Sequence, residues 1–288
     1  MVLVSLLAYL LVLAPAPLVR ADQDRPPEAP HRLLERVAAI GARLTAGVRT
    51  PASLARVFEA TLAQERRVAF ERTDVTFFQA PLRNGERLVA EALEAEPTLV
   101  LAVDFLFWFG YGSMAADGEP LRGEADRLVL LEEGLRLLEA FPCPVVVSDF
   151  PDMSISVGTE LRPEQMPRAE TLVKLNARLR EWAAERKGVV VLPLAQLIDD
   201  MRCLRPFQIG ERRWEPGSGA RLLQNDLLHP NLEGLAALAQ LIAVELGKRP
   251  GWTAPGAFEM DPGVVLARLG SAKDRDAGGR RAGAKGRE

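Results

Sequence analysis

An aspartate and a histidine three residues apart stand in Asp226-Leu-Leu-His229-Pro-Asn, just before an apolar helical pattern. The chain has 288 residues and only two histidines, so His229 is the main candidate for acid–base chemistry near neutral pH. The carboxylate of Asp226 can accept the proton of Nδ1 and leave Nε2 free to act as a general base. In the alternative, Asp226 caps a neighbouring backbone group and His229 only packs. The rest of the chain must supply a group on which such a base would act.

Serines in the predicted loops are the candidate nucleophiles for this base. Ser113, in a glycine-rich segment after the third predicted strand, is the best placed. The others are Ser148, Ser154 and Ser156. Ordinary turn chemistry is the competing explanation for each of them.

Other kinds of site find little support in the residue pattern. The spacing of histidine and acidic residues shows no metal site, and no glycine-rich loop has the setting of a phosphate-binding loop. We therefore predict no metal and no cofactor. A net charge of −3 gives no signal for nucleic acid. The aromatic run between Phe105 and Tyr111 completes the core or, if exposed, forms a patch suited to an acyl chain, a glycan or a protein partner.

The elements that must position these residues alternate along the chain. Short apolar or β-branched runs predict five strands: Arg36–Ile40, Val75–Phe78, Leu99–Asp104, Val145–Ser148 and Val189–Leu192. Helical patterns separate them, at Ala52–Gln64, Glu86–Glu94, Glu124–Glu139, Ala169–Arg186 and Leu232–Leu246. Strands that alternate with helices predict an α/β fold, a parallel sheet covered on both faces. Ligands of such folds bind beyond the carboxyl ends of the strands.

The ends of the chain differ from its middle. Residues 1–21 resemble a signal peptide with cleavage between Ala21 and Asp22, which predicts a secreted or periplasmic protein; an uncleaved anchor is the alternative. We predict a linker at 22–31, a single domain at 32–265 and a disordered tail at 266–288. Cys143 and Cys203 are expected towards opposite ends of the sheet and therefore as free thiols.

Several segments resemble the sequence blocks of the SGNH/GDSL hydrolases. Residues 38–47 (AAIGARLTAG) are similar to the first block, in which an apolar strand runs into G-D-S-L-T-x-G. Residues 226–231, followed by Gly234, are similar to the closing D-x-x-H-P-N block, and Asn84-Gly85 resembles the second block. The resemblance implies a three-layer α/β/α sandwich of flavodoxin-like type with about five parallel strands. It also implies ester hydrolysis by Ser-His-Asp, with backbone donors to the oxyanion at Gly41 and Gly85.

The chain departs from this pattern at the nucleophile. Arg43 stands where the family has its serine, and Ala42 stands where it has the preceding aspartate. The asparagine of the third block, which donates to the oxyanion, has Leu106 or a neighbour in its place. A guanidinium stays protonated and cannot act as a nucleophile. The resemblance thus implies that the base and its orienting acid remain while the nucleophile is lost.

Three hypotheses follow. In the first, the chain is a catalytically impaired or inactive descendant in which Arg43 pairs with Asp226 or holds a carboxylate or phosphate group. In the second, it is an active esterase that uses Ser113 as a displaced nucleophile. In the third, it is a non-catalytic envelope protein that binds through the cleft around Arg43 and the aromatic run 105–111. Asp104 can bond His229 or Arg43, or cap the turn that follows it, and we favour the cap.

The partners expected from these hypotheses are small. If the protein is active, its substrate is a small-molecule ester or an acylated glycan or lipid. We expect no nucleic acid, membrane contact only through an uncleaved N-terminal segment, and a monomer.

Overall fold

A sheet of five parallel strands forms the middle of the fold. The structure is a computed structural model that describes residues 32–64 and 68–270, so the predicted signal peptide, the linker and residues 271–288 of the predicted tail lie outside the described residues. The strands are β1 (Val37–Gly41), β2 (Phe70–Thr73), β3 (Leu99–Leu101), β4 (Val145–Ser148) and β5 (Val189–Leu192). Their order in the sheet is β2-β1-β3-β4-β5, which is the flavodoxin-like doubly wound order.

Helices cover both faces of this sheet. They are α1 (Leu54–Thr61), α2 (Pro81–Leu93), α3 (Phe107–Tyr111), α4 (Glu124–Leu138), α5 (Ala169–Ala184), α6 (Leu194–Arg202) and α7 (Leu232–Gly247). Successive side chains of β1 point to opposite faces: Val37 and Ala39 pack in the core with α1 and α7, and Ala38 and Ile40 pack with α2, α4 and α5. The predicted three-layer α/β/α fold is confirmed.

The second strand lies five residues earlier than predicted. The predicted run Val75–Phe78 is a turn followed by a short 3₁₀ segment at Phe77–Gln79. Asp74 starts this turn, because its carboxylate accepts the backbone N–H of Thr76 at 2.8 Å. The strand is instead the charged sequence Phe70–Thr73, which pairs only with β1 at the sheet edge and so needs no apolar pattern.

The aromatic run belongs to the core. Four of its five aromatic side chains are buried, namely Phe105, Trp108, Phe109 and Tyr111. Residues 107–111 form the short helix α3, whose rings pack against one another and against Phe77. The hypothesis of an exposed aromatic patch is therefore wrong, and only Phe107 of the run is partly exposed.

Several elements after β5 are absent from the prediction. Helix α6 follows β5 directly, and an antiparallel hairpin of β6 (Phe207–Ile209) and β7 (Arg212–Trp214) follows α6. Residues 262–270 are helical, so the predicted tail at 266–288 begins too early. Leu266 and Leu269 pack against the core, and the guanidinium of Arg268 donates to the carbonyls of Ala60 and Leu62. These contacts hold the last described turn on the domain.

Both cysteines are free, as predicted. Cys143 is buried beside β4, and burial raises the pKa of its thiol to about 12. Cys203 is exposed at the end of α6.

Candidate functional site

His229 and Asp226 lie together in the turn that leads into α7. Nδ1 of His229 is 2.9 Å from Oδ2 of Asp226, which is the contact that their spacing predicts. Oδ1 of the same carboxylate accepts the backbone N–H groups of Leu228 and His229, at 3.0 and 2.9 Å. The carboxylate of Asp226 therefore contacts the imidazole and also caps the turn. Nε2 of His229 makes no hydrogen bond to any residue that the structure describes.

The backbone of this turn fixes the orientation of the pair. Leu227 has a φ of 55°, in the left-handed region that leucine adopts only where its surroundings enforce it. Its N–H donates to the carbonyl of Gln224 at 3.0 Å, and its carbonyl accepts the hydroxyl of Ser156 at 2.8 Å. Asn231 then caps α7 by accepting the N–H of Gly234 at 3.0 Å. The imidazole is thus held by a strained turn and a capped helix.

Two arginines lie beside the His229–Asp226 pair. Their ion pairs with the nearby carboxylates differ from the one predicted. Nη1 of Arg49 lies 2.7 Å from Oδ2 of Asp226, while its Nη2 lies 2.7 Å from Oε1 of Glu160. Nη1 of Arg43 lies 3.0 Å from Oε2 of Glu160. The predicted pair between Arg43 and Asp226 is therefore absent: Arg43 pairs with Glu160, and Arg49 pairs with Asp226 on the oxygen that His229 also contacts. Four charged groups form one network across the site.

This network keeps both carboxylates ionised. Burial works to raise the pKa of Asp226, but hydrogen bonds from the N–H groups of His229 and Leu228 and from the imidazole outweigh it, and the pKa lies below its ordinary value. Burial likewise opposes ionisation of Glu160, but the hydrogen bond from Arg49 and the charge of Arg43 hold its pKa below the usual value. The positive and negative charges of the network balance.

Asp104 has none of the roles predicted for its side chain. Its carboxylate accepts the backbone N–H groups of Ala42, Leu44 and Thr45, at 3.0, 2.9 and 3.3 Å, and the hydroxyl of Thr45 at 2.6 Å. It thereby clamps the loop that follows β1, the neighbour of β3 in the sheet. Gly41 permits this approach, since a Cβ there would lie 2.1 Å from Oδ1 of Asp104. Burial raises the pKa of Asp104, and the four donors oppose that shift.

A mostly apolar cavity of about 80 Å³ lies at the carboxyl ends of the strands. Its polar lining comes from Arg43, Asp104, Ser148 and His229. The apolar lining comes from the loop after β1, from α3, from the loop after β4, from α6 and from the turn before α7: Leu44, Phe107, Trp108, Pro151, Met153, Leu194, Ile198 and Leu228. The cavity lies where ligands of doubly wound folds bind.

Of the candidate nucleophiles, only Ser148 reaches this cavity. Its hydroxyl donates to the carbonyl of Val103 at 2.8 Å and not to His229. Ser113 is not among the lining residues, because the helical turn α3 carries the chain away before it, and its carbonyl accepts the N–H of Leu121. Ser156 hydrogen-bonds the carbonyl of Leu227. No hydroxyl of the described residues hydrogen-bonds His229.

Gly85 does not lie at the site. The prediction placed it at the start of a helix, but α2 begins four residues earlier, at Pro81. Gly85 is therefore inside the helix, where a Cβ would meet Leu137, Phe105 and Phe109 at 2.9 to 3.1 Å. It permits close packing and donates nothing to the cavity.

One group of potential metal ligands lies within the described residues, and the sequence spacing did not indicate it. Ligand atoms of Glu160, Asp226 and His229 lie within 4.8 Å of one another. Arg43 and Arg49 already supply positive charge to both carboxylates, so a cation would have to displace a guanidinium. The cluster is better described as an ion network.

Sequence reasoning missed Glu160 and Arg49. Neither lies in a block that resembles a known motif, and both reach the site from loops distant in sequence from His229. The only available signal was that a buried carboxylate such as Asp226 needs further hydrogen-bond donors.

Comparisons with known proteins find structural similarity only. No family model matches the chain, and no curated protein sequence matches it. A gut microbial diltiazem-metabolizing enzyme has a TM-score of 0.48 at 14% identity over 78% of this chain and 49% of that chain, so this chain spans about half of its length. A GDSL-like lipase from Bacteroides thetaiotaomicron has a TM-score of 0.45 at 17% identity, over 73% of this chain and 86% of that one.

The psychrotrophic esterase EstA from Pseudoalteromonas sp. is similar to the same degree, with a TM-score of 0.45 at 15% identity over 74% of this chain and 97% of that chain. The fold class itself rests on the strand order and the two helical layers described above.

Proposed function

We propose that the protein is a non-catalytic relative of the SGNH/GDSL hydrolases that binds a small acyl compound in the cavity beside His229. One observation carries the proposal: the His229–Asp226 pair is assembled beside an apolar cavity, yet no hydroxyl of the described residues hydrogen-bonds the imidazole. The nucleophile position holds Arg43, whose guanidinium is paired with Glu160.

The chemistry of these residues supports binding over hydrolysis. A guanidinium cannot attack a carbonyl, so a reaction would depend on water activated by His229. The loss of one oxyanion donor alone costs about 3–4 kcal/mol of transition-state stabilisation, and in this chain the serine is missing as well. Hydrolysis would therefore be slower by several orders of magnitude than with a complete triad.

The cavity suits a short apolar group with a polar head. Leucine, methionine and aromatic side chains form most of its wall, and the polar residues Arg43 and His229 both line it. The backbone N–H of Arg43 adds a donor, because it makes no hydrogen bond within residues 32–64 and 68–270 whereas its neighbours donate to Asp104. An acyl chain of a few carbons would contact the wall while its oxygens face these donors.

Export and the remaining partners are part of this proposal. The uncharged, mostly apolar stretch 1–19 supports export to the periplasm or the medium. No helix within the described part of the chain is long and apolar enough to span a membrane. We propose that the protein is a monomer and binds a small molecule.

The test measures hydrolysis and binding on the same preparations. Wild-type protein and His229→Ala should hydrolyse p-nitrophenyl butyrate at the same background rate, while calorimetry should detect butyrate binding to the wild type. Ile198→Trp fills the cavity and should abolish that binding. Val173→Trp, at an exposed position on α5, is the matched control and should bind as the wild type does.

Two results would contradict the proposal. Hydrolysis by the wild type that disappears in His229→Ala would mean an active enzyme, and its loss in Ser148→Ala or Ser113→Ala would identify a displaced nucleophile. Failure of butyrate to bind the wild type and every variant would remove the binding function.

A further inference from the structure

We propose that the carboxylate of Glu160 is an internal competitor for the ligand, and that the ligand carries a carboxylate which replaces it on Arg43. This inference rests on the proposed binding function and specifies the chemical class of its ligand, a short monocarboxylate. It also assigns Glu160, which belongs to none of the resembling sequence blocks, a part in controlling occupancy of the cavity.

Glu160 is held as a bound carboxylate would be held. Its two oxygens contact two different guanidinium groups, Oε2 to Arg43 at 3.0 Å and Oε1 to Arg49 at 2.7 Å. Contacts between guanidinium and carboxylate groups are among the strongest polar contacts in proteins. The side chain of Glu160 is only 15% exposed and does not line the cavity. Arg43 does line the cavity, and Glu160 is the partner of its guanidinium.

The two arginines depend on Glu160 unequally. Arg49 also contacts Asp226, so it keeps a carboxylate partner if Glu160 moves away. The guanidinium of Arg43 has no other hydrogen-bond or ion-pair partner among the described residues. Without Glu160, Arg43 would be an uncompensated charge 26% exposed beside an apolar cavity, which is costly until another anion pairs with it. The site thus favours an anionic head group over a neutral one.

The segment that carries Glu160 can release the side chain while its backbone stays in place. The hydroxyl of Ser156 donates to the carbonyl of Leu227 at 2.8 Å, and that of Thr159 donates to the carbonyl of Asp226 at 3.2 Å. These bonds fix residues 156–159 on the turn of the His229–Asp226 pair. Only the Glu160 side chain needs to rotate for Arg43 to become available.

The experiment compares butyrate binding by calorimetry in matched variants. Glu160→Gln should lower the Kd for butyrate by roughly fivefold or more, since the removed pair is worth about 1 kcal/mol at a part-exposed site. Adding Arg43→Gln to this variant should abolish the gain. Glu132→Gln removes a glutamate that pairs with Arg178 between α4 and α5, and it should leave the Kd unchanged. Glu160→Ala repeats the test if Glu160→Gln does not fold, with folding checked by circular dichroism.

A neutral ligand shows whether Glu160 acts through its charge or by blocking access to the cavity. Methyl butyrate should bind Glu160→Gln no better than it binds the wild type, and an equal gain for ester and acid would overturn the inference. If wild-type protein binds butyrate but the glutamate variants bind it no more tightly, this inference is wrong and the proposed function stands. If no variant binds butyrate, both are wrong. Binding seen only after replacement of Glu160 would support the competitor role.

Discussion

Two buried aspartates at the same edge of the sheet show how local contacts decide the state of a side chain. Burial dominates for Asp104 and raises its pKa, because only neutral N–H and hydroxyl donors face it. Asp226 is also buried, but backbone N–H groups, the imidazole and Arg49 contact its carboxylate. Its pKa is lowered because the hydrogen bonds outweigh burial. Asp104 therefore accepts hydrogen bonds from the backbone of one loop, whereas Asp226 contacts His229 and belongs to the charge network.

The first residue-scale prediction concerns Asp104. Asp104→Ala leaves three backbone N–H groups and the hydroxyl of Thr45 without their acceptor in a buried place, so it should lower the free energy of unfolding by about 2–4 kcal/mol. Urea denaturation at pH 7 measures the change. Asp117→Ala, at an exposed loop carboxylate, should change it by less than about 0.5 kcal/mol. A loss of that small size at Asp104 would mean that the loop after β1 does not need the clamp.

Contacts between site residues that are close in sequence could be predicted, whereas contacts between residues distant in sequence could not. The contact of His229 with Asp226 could be predicted because it needs only a four-residue turn. The partners of Arg43 and Arg49 could not, because Glu160 meets them across more than a hundred residues of chain. A resemblance to sequence blocks indicates which positions belong to the site. It does not indicate which side chains from other loops contact them.

At the scale of elements, burial decided what the sequence could predict. Strands β4 and β5 have the predicted bounds, because strands covered on both faces are continuous apolar runs. The edge strand β2 and the hairpin of β6 and β7 carry charged side chains and have no such pattern. The aromatic run is not an exposed loop. Most of it forms helix α3, and its rings pack on α4 and Phe77.

The close contact between α3 and α4 gives an element-scale prediction. Gly134 of α4 faces the ring of Phe109, where a Cβ would lie 2.8 Å from two ring atoms. Gly134→Ala should destabilise the fold by about 1–3 kcal/mol, because this overlap outweighs the helix propensity that alanine adds. Gly247→Ala, with open space around its Cβ position at the end of α7, should be neutral or stabilising. Thermal unfolding of both variants measures the contrast, and equal effects at the two glycines would refute close packing as the cause.

At the scale of the whole molecule, the charge network joins loops from distant parts of the chain. Arg43 and Arg49 follow β1, Glu160 follows β4, and Asp226 precedes α7. Hydrophobic packing already holds the helices and strands together. The network therefore fixes the relative positions of the loops that surround the cavity. Its contribution must depend on pH, because two of its members are carboxylates.

The sign of that dependence follows from the pKa shifts. Asp226 and Glu160 have pKa values lowered in the folded protein from ordinary values of 3.8 and 4.5, so their contribution to stability is present above about pH 4.5 and is lost as the pH falls through the lowered values. The difference in free energy of unfolding between wild type and Glu160→Gln should be about 1 kcal/mol at pH 7 and should vanish at low pH. Urea denaturation at pH 7, 5 and 3 measures it, with Glu119→Gln as the control at an exposed glutamate. A difference that stays constant with pH would mean that Glu160 acts through packing, and the ionic network would then have no part in holding the loops around the cavity.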